Sequence, residues 1–139
     1  SGTMSAIVAS ARCGVDTTLV VPARNDSRLV AAASHSYYEE LLDAGVHLWE
    51  YEPGLLHAKT ITVDRKLAII STANMDRRSF DLNFEVSTVV YDTDFASLLR
   101  LLQRSYIDRS RPVDLEGWNR RSQFRRMAEN AAGLLHPVL

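Results

Sequence analysis

A stretch of alternating side chains between residues 57 and 70 restricts this chain more than any other part of its sequence. Residues 57–63 alternate and are β-branched from residue 60 to residue 63, which favours a strand. The polar triplet Asp64-Arg65-Lys66 suits a tight turn, and the apolar run 67–70 suits a second strand antiparallel to the first. The sequence therefore predicts a β-hairpin that returns the chain to the level of His57.

The first predicted strand carries two polar side chains at its start. Residues i and i+2 share one face of a strand, so we expect His57 and Lys59 to point the same way. Ile61 and Val63 are then expected to continue that face into the core.

The second strand is expected to deliver a hydroxyl, Thr72, and an amide, Asn74, to the same end of the hairpin. Neutral imidazole at His57 can attack phosphorus and form a covalent intermediate, which splits one difficult displacement into two easier ones. Charge on the non-bridging oxygens needs fixed donors, which Lys59, Thr72 and Asn74 can supply. Any one of these residues alone would suggest an ordinary surface position, but their joint spacing favours a phosphodiester site.

The pattern His-x-Lys-x4-Asp over residues 57–64, followed by Asn74, resembles the HKD motif of the phospholipase D superfamily. The flanking segments 19–27, 74–85 and 134–139 look like those around the second HKD motif of bacterial cardiolipin synthases, and the resemblance covers nearly the whole chain. That family usually has Gly-Ser where this chain has Ser71-Thr72. The hydroxyl is kept in Thr72, while the conformational freedom of the glycine is lost.

The resemblance implies a role for each motif residue. His57 is the nucleophile or the general acid, and Lys59 is a second catalytic residue, which stabilises charge on the phosphate. Glu85 matches an acid that hydrogen-bonds the catalytic imidazole from behind, which would fix its tautomer. Asp64 matches the motif aspartate, a structural residue in the family. The implied phosphate ligands are Lys59, Thr72 and Asn74.

Neither a cofactor nor a metal is expected. Histidine, lysine and amide groups supply the charge stabilisation that a divalent ion would otherwise provide. No group of histidine, cysteine and carboxylate residues in this sequence has convincing ligand spacing.

The chain has the motif only once, which limits what it can do alone. In-line displacement puts nucleophile and leaving group on opposite sides of phosphorus, so a second imidazole is needed as general acid, an effect of roughly 10²–10⁴ in rate. His35, His47 and His136 do not fill that role obviously. Full-length relatives carry two motifs in halves related by an approximate two-fold axis. Residues 1–139 are thus expected to be one phospholipase D-like domain, the C-terminal catalytic half of a larger enzyme.

The resemblance implies a phosphatidyl transferase of cardiolipin synthesis. A phosphatidyl group would pass from one phosphatidylglycerol to histidine and then to a second phosphatidylglycerol, with release of glycerol. The implied partners are phosphatidylglycerol and related anionic phospholipids, together with the missing N-terminal half or a second copy of this chain. The alternatives are a homodimeric phosphodiesterase or nuclease, and an inactive half-domain that serves only in assembly.

Composition and charge limit the kinds of partner that this chain can have. The chain has 139 residues, of which 46% are apolar, enough for one domain with a sizeable core. Its net charge is −1. Residues 1–99 hold 8 basic and 13 acidic side chains, and residues 100–139 hold 8 basic and 4 acidic ones. A nucleic-acid tracker would be more basic, so none is expected as a partner. The C-terminal arginines form either a solvated helix face or a surface for anionic headgroups.

No apolar run reaches the length of a membrane span, so we expect this part of the protein to be soluble. The resemblance implies that the parent protein lies at the bacterial cytoplasmic membrane. Cys13, the only cysteine, lies in an apolar stretch and is expected to be a buried thiol.

Strand and helix signals alternate along the chain, which indicates an α/β fold with a mixed sheet flanked by helices. A break is expected at Arg111-Pro112. One face of the helix 93–108 is expected to contain Phe95, Leu98, Leu99, Leu102 and Tyr106. Besides the hairpin, the predicted elements are a helix over 4–13, a strand over 15–21, a helix from Asn25 to Ala44, strands over 46–51 and 83–91, and helices over 93–108 and 116–134.

Overall fold

The computed structural model describes residues 2–24, 37–72 and 85–119. These residues form both helices and strands, and helices pack on the sheets, so the α/β class predicted from the sequence is confirmed, with two sheets in place of one. In chain order they are α1 (Gly2–Arg12), β1 (Thr18–Pro22), α2 (Tyr38–Asp43), β2 (His47–Tyr51), β3 (Thr60–Val63), β4 (Leu67–Ser71), β5 (Ser87–Tyr91), α3 (Thr93–Ile107), β6 (Ser110–Val113) and α4 (Leu115–Asn119).

The first sheet has the order β1-β2-β6 and is mixed, because β1 runs parallel to β2 and β6 runs antiparallel to it. Leu48 on the central strand is only 2% exposed and packs with Tyr38 of α2 and Trp118 of α4. The rings of Tyr38 and Trp118 lie 4.6 Å apart between centroids. The side chains of three elements therefore meet in one core.

The second sheet has the order β3-β4-β5 and is antiparallel throughout. Helix α3 packs on one of its faces, where Ala68 of β4 meets Ala96 and Leu99 of α3. The helix begins after Asp92, whose carboxylate accepts a hydrogen bond of 2.7 Å from the backbone N–H of Phe95, a typical N-cap.

The break predicted at Arg111-Pro112 is not present. The chain continues there as β6, which pairs with β2. Among the described strands, β6 pairs with β2 alone, so it is an edge strand, and an edge position tolerates a proline that cannot donate a hydrogen bond. The expectation for Cys13 was also wrong, since its thiol is exposed.

The sheet face predicted for the hairpin was the wrong one. Ile61 and Val63 are 41% and 46% exposed, whereas the neighbouring Thr60 and Thr62 are half-buried. The reason is Gln103 of α3, whose amide accepts a hydrogen bond from Thr62 Oγ1 at 2.7 Å and donates one to Thr60 Oγ1 at 3.1 Å. The helix therefore lies over the threonines, and the isoleucine and valine face away from it.

The face predicted for α3 was also partly wrong. Its buried residues are Ala96 and Leu99, while Phe95, Leu98 and Leu102 are between 38% and 67% exposed. The small side chain of Ala96 lets the helix approach Ala68 closely, and that approach decides which side is buried.

Several predictions fall outside the described residues. These are the first twelve residues of the helix expected to begin at Asn25, the start of the strand over 83–91, and most of the final helix. Asn74, His35 and His136 also lie outside them.

Candidate active site

The hairpin that carries the motif is formed by β3 and β4, as predicted. Its turn residues Asp64 and Arg65 have φ values of 50° and 55°, and the N–H of Lys66 donates to the carbonyl oxygen of Val63 at 3.0 Å. Three residues separate the paired Val63 and Leu67, and the first two have the positive φ of a turn whose twist suits an antiparallel pair. Asp64 is therefore at the turn end of the hairpin, roughly 15 Å along the strand from Lys59.

The other end of the hairpin is the open one, and it carries His57 and Lys59. Strand β3 begins at Thr60, one residue after Lys59, yet the pairing continues because the N–H of Ser71 donates to the carbonyl oxygen of Lys59 at 2.9 Å. The Lys59 ammonium lies 3.0 Å from Nδ1 of His57 and donates to the carbonyl oxygen of His57 at 3.0 Å. The structure thus brings together the first two residues of the predicted site.

This contact has a consequence for the imidazole. An ammonium group can only donate a hydrogen bond, so Nδ1 of His57 must accept one, and the neutral ring then carries its hydrogen on Nε2. In this arrangement Nε2 has no free lone pair with which to attack phosphorus. His57 is exposed, so a substrate can reach it.

Thr72 and Glu85 form a second group of polar contacts. Thr72 Oγ1 donates to Glu85 Oε2 at 2.5 Å and accepts from the N–H of Val86 at 3.0 Å. The N–H of Thr72 donates in turn to the carbonyl oxygen of Val86 at 3.0 Å. Glu85 was predicted to bond His57, but between the described residues its hydrogen bond goes to Thr72 instead.

A pair of hydroxyl groups next to Lys59 was not predicted. Ser71 lies opposite Lys59 on the neighbouring strand, and its Oγ is 2.8 Å from Oγ of Ser87 on β5. Residues directly opposite each other project from the same sheet face. The sequence offered one sign of this pair, which is Ser71 at a position where the resembled family has glycine. Its partner Ser87 lies 16 residues further along the chain, and no pattern near Ser71 points to it.

His47, one of the other histidines, lies next to a carboxylate. Its Nε2 lies 3.5 Å from Oδ1 of Asp16, and both side chains are exposed. His47 is the first residue of β2, whereas the chain leaves the other end of that strand towards His57. This histidine is thus held at the end of β2 remote from the motif.

The end of β2 nearer the motif is fixed by an ion pair that sequence reasoning missed. Arg111 Nη2 donates to Oε2 of the buried Glu50 at 2.6 Å, and this hydrogen bond is the main reason why the pKa of Arg111 is raised above its ordinary value. The guanidinium of Arg109 lies 5.3 Å from the ring centroid of Tyr51 and 5.9 Å from that of Tyr106. Glu50 and Tyr51 are the last residues of the strand that leads to the motif.

Two kinds of feature are not found in the described residues. Residues 2–24, 37–72 and 85–119 hold no group of three or more histidine, cysteine or carboxylate side chains that could ligate a metal. No helix within the same ranges combines the length and the apolarity needed to span a bilayer.

Comparisons with known proteins identify the family of this chain. Residues 2–103 match the family described as the phospholipase D-like domain of cardiolipin synthase. The chain is 45% identical over 138 residues to cardiolipin synthase 2 of Bacillus anthracis. That alignment covers 98% of this chain and 26% of the relative. It is 42% identical over 136 residues to cardiolipin synthase A of Klebsiella pneumoniae, and that alignment covers 98% of this chain and 28% of the relative.

The fold has a solved counterpart as well. The crystal structure of a phospholipase D family member, Nuc from Salmonella typhimurium, superposes with a TM-score of 0.70 at 23% identity, over 80% of this chain and 72% of that one. The chain spans about a quarter of the length of the curated relatives it matches. The family match, the identities and the motif hairpin agree, and this chain belongs to the family of phospholipase D-like domains found in cardiolipin synthases.

Proposed function

We propose that this chain is the C-terminal catalytic half of a phosphatidyl transferase that makes cardiolipin from two molecules of phosphatidylglycerol. The chain is one domain with one HKD motif, and a second imidazole comes from another half. That half is either the N-terminal part of the same enzyme or a second copy of this chain. The relatives named cardiolipin synthase support the reaction, and the fraction of their length that the chain spans supports its assignment as a part.

The contact between Lys59 and His57 is the observation that carries the proposal. It puts the Lys59 ammonium nitrogen 3.0 Å from Nδ1 of His57 at the open end of the hairpin. Thr72 follows Ser71, which lies opposite Lys59, so a hydroxyl is held at the same end. A phosphodiester at this end would meet the Lys59 ammonium and one imidazole. Thr72, whose hydroxyl donates to Glu85 in this structure, is proposed to turn to the phosphate, and Asn74 is proposed to add an amide donor.

The reaction runs in two displacements at phosphorus. In the first, an imidazole nitrogen forms a bond to phosphorus while the bond from phosphorus to the glycerol oxygen breaks, and the opposite imidazole protonates that oxygen. In the second, the hydroxyl of another phosphatidylglycerol attacks phosphorus, its proton passes to the opposite imidazole, and the bond from phosphorus to histidine breaks. Lys59, Thr72 and Asn74 hold the non-bridging oxygens through both steps.

We assign His57 the general acid role, which the resemblance favours for the second motif. The acid is the charged imidazolium, in which both nitrogens carry a hydrogen, and transfer of the Nε2 hydrogen to the leaving oxygen returns a neutral ring. Nδ1, which accepts from Lys59 in this structure, has to be released before it can take up that proton. When a phosphate arrives, its oxygens compete for the Lys59 ammonium. Glu85 is proposed to take over the Nδ1 side of His57 and to stabilise the charged ring, as an orienting carboxylate does. Asp64 keeps a structural role in the turn.

The experiment compares leaving groups in the complete enzyme. With phosphatidylglycerol as donor, His57→Ala should abolish transfer, because the leaving glycerol oxygen then has no acid. With a p-nitrophenyl phosphodiester, whose leaving group needs no proton, the same variant should still phosphorylate the opposite histidine. Burst measurements in rapid-quench flow follow the two substrates separately.

The outcomes separate the competing roles. Loss of both reactions would make His57 the nucleophile, and wild-type transfer in the variant would refute the assignment. Release of phosphatidic acid in place of cardiolipin would favour the alternative phosphodiesterase. A phosphodiesterase that works as a homodimer would in addition be active as this chain alone, at concentrations where it sediments as a dimer.

A further inference from the structure

The proposed chemistry leaves the hydroxyl pair of Ser71 and Ser87 without a role. The two Oγ atoms of this pair lie 2.8 Å apart. On one side Ser71 is joined to Lys59, because its N–H donates to the carbonyl oxygen of Lys59 at 2.9 Å, and on the other side it lies opposite Ser87 of β5. Lys59, Ser71 and Ser87 thus form one row across three neighbouring strands.

The side chains of this row project from the sheet face that is remote from α3. Residues directly opposite each other in an antiparallel pair share a face, and the next row on that face contains Ile61 and Val89, which are 41% and 46% exposed. Neighbouring strands lie about 4.8 Å apart, so the backbone of Ser87 is roughly 10 Å from that of Lys59. A phosphate bound to the Lys59 ammonium, with a three-carbon alcohol attached, can reach across this row.

The proposed reaction puts the alcohol on this side of phosphorus. The nucleophilic histidine belongs to the other half, and in-line displacement places the alcohol oxygen opposite that histidine, next to His57. The leaving glycerol takes its proton from His57, and the attacking hydroxyl returns a proton to the same ring. Groups that recognise the alcohol are therefore expected near His57 and Lys59, whose side chains lie 3.0 Å apart.

The chemistry of the hydroxyl pair suits an alcohol. A serine hydroxyl has one hydrogen to donate and two lone pairs that can accept. If Ser71 donates to Ser87, the hydrogen of Ser87 can bond a ligand, and if Ser87 donates to Ser71, the lone pairs of Ser87 can do so. An alcohol both donates and accepts, so Ser87 can bond it in either case. Ser87 is exposed, so an alcohol can reach it.

We propose that Ser87, held by Ser71, selects the alcohol by bonding the hydroxyl on the carbon next to the one that carries the reacting oxygen. In phosphatidylglycerol this hydroxyl is present both in the glycerol that leaves and in the headgroup that attacks. We call the hydroxyl pair of Ser71 and Ser87 the diol site. The inference rests on the proposed transferase function and deepens it, because it names the part of the substrate that this half recognises.

The test uses the complete enzyme, labelled phosphatidylglycerol as donor and three small alcohols as competing acceptors. Propylene glycol has hydroxyls on adjacent carbons, trimethylene glycol has them on its two terminal carbons, and n-propanol has only one. Wild type should form the propylene glycol ester in preference to the other two esters. Ser87→Ala should lower this preference about two- to tenfold, the range expected for one hydrogen bond. The ratio of the esters is independent of the donor step, which all three acceptors share.

Three further variants check that the position of the hydroxyl matters. Thr88→Val removes an exposed hydroxyl from the next residue of β5, which faces the other side of the sheet, and should leave the preference unchanged. Ser87→Thr keeps a hydroxyl and should retain most of the preference. Ser71→Gly, which introduces the residue usual in the resembled family, releases Ser87 from its partner and should lower the preference in part. If Ser87→Ala does not fold by circular dichroism, Ser71→Gly takes its place.

The outcomes distinguish the diol site from the transferase function. Product ratios in Ser87→Ala, or in its replacement Ser71→Gly, that equal those of wild type would overturn the diol site and leave the transferase function standing. An equal loss of preference in Thr88→Val would also overturn the diol site, because the effect would then follow the strand and not the hydroxyl. Wild type that forms no ester with any alcohol and releases only phosphatidic acid would refute the transferase function, and the diol site with it.

Discussion

The two sheets of this domain differ in how far they are covered. In the sheet β1-β2-β6, Leu48 of the central strand is 2% exposed, and helices α2 and α4 pack over it. In the sheet β3-β4-β5, Ala68 is fully buried beneath α3, whereas Ile61, Val63 and Val89 on the other face are 41–46% exposed. The motif belongs to the less covered sheet. We therefore expect that substitutions in the two sheets will separate stability from the proposed chemistry.

The largest effect on stability is expected at the centre of the covered sheet. Leu48→Ala should lower the free energy of unfolding by about 2–5 kcal/mol, since it leaves a cavity among Tyr38 and Trp118. Val63→Ala in the other sheet should cost less than about 1 kcal/mol, because its side chain is half in water. Urea denaturation of both variants measures the contrast. Equal losses would mean that the exposed face is covered in solution.

The reverse pattern is expected for activity. Lys59→Ala in the complete enzyme should reduce transfer about 10²–10³-fold by removing a donor to the phosphate, with little change in stability. Lys66→Ala is the matched control, an exposed lysine at the turn end of the same hairpin. Steady-state assays and melting curves of the two variants would separate the roles. A comparable loss in the control would show that the hairpin's net charge matters more than the position of its ammonium groups.

A smaller effect is expected at the turn. Arg65 has a φ of 55°, which glycine adopts without the steric penalty of a side chain, so Arg65→Gly should stabilise the domain by up to about 1 kcal/mol. Lys66→Gly should instead destabilise it, because φ at Lys66 is not in that region and glycine adds only unfolded-state freedom. Thermal melts are sufficient to rank the pair, and stabilisation by both would contradict the conformational argument.

The smallest effect is expected on the exposed face of the motif sheet. Ile61→Thr should change stability by less than about 0.5 kcal/mol, because threonine keeps the β-branched shape and the site is 41% exposed. A loss above about 1.5 kcal/mol by urea denaturation would mean that another surface packs on this face.

Much of this architecture could be predicted from the sequence, because it depends on residues that are close together along the chain. The hairpin follows from alternation and three polar residues. The end of helix α2 follows from Gly45, two residues after its last residue, which adopts a φ of 88°. The contact of His57 with Lys59 needed only a spacing of two residues.

What sequence reasoning missed depends on contacts between distant residues. Gln103 decides which face of β3 is buried, and it lies more than 40 residues from its threonine partners. Arg111 and Pro112 of β6 suggest a break in the sequence, but they pair with β2 in the structure. Glu85 bonds Thr72 because the ends of β4 and β5 are neighbours, a fact that no spacing encodes.

The ion pair between Glu50 and Arg111 also bears on where this domain can be cut. The family match ends at residue 103, but the strand that supplies Arg111 begins at Ser110. A protein shortened to that match would keep the buried carboxylate of Glu50 and lose the guanidinium that bonds it, and the edge of β2 would lie bare. A buried carboxylate without its partner is destabilising, and an open strand edge invites aggregation. The smallest piece that folds well therefore extends at least through Val113.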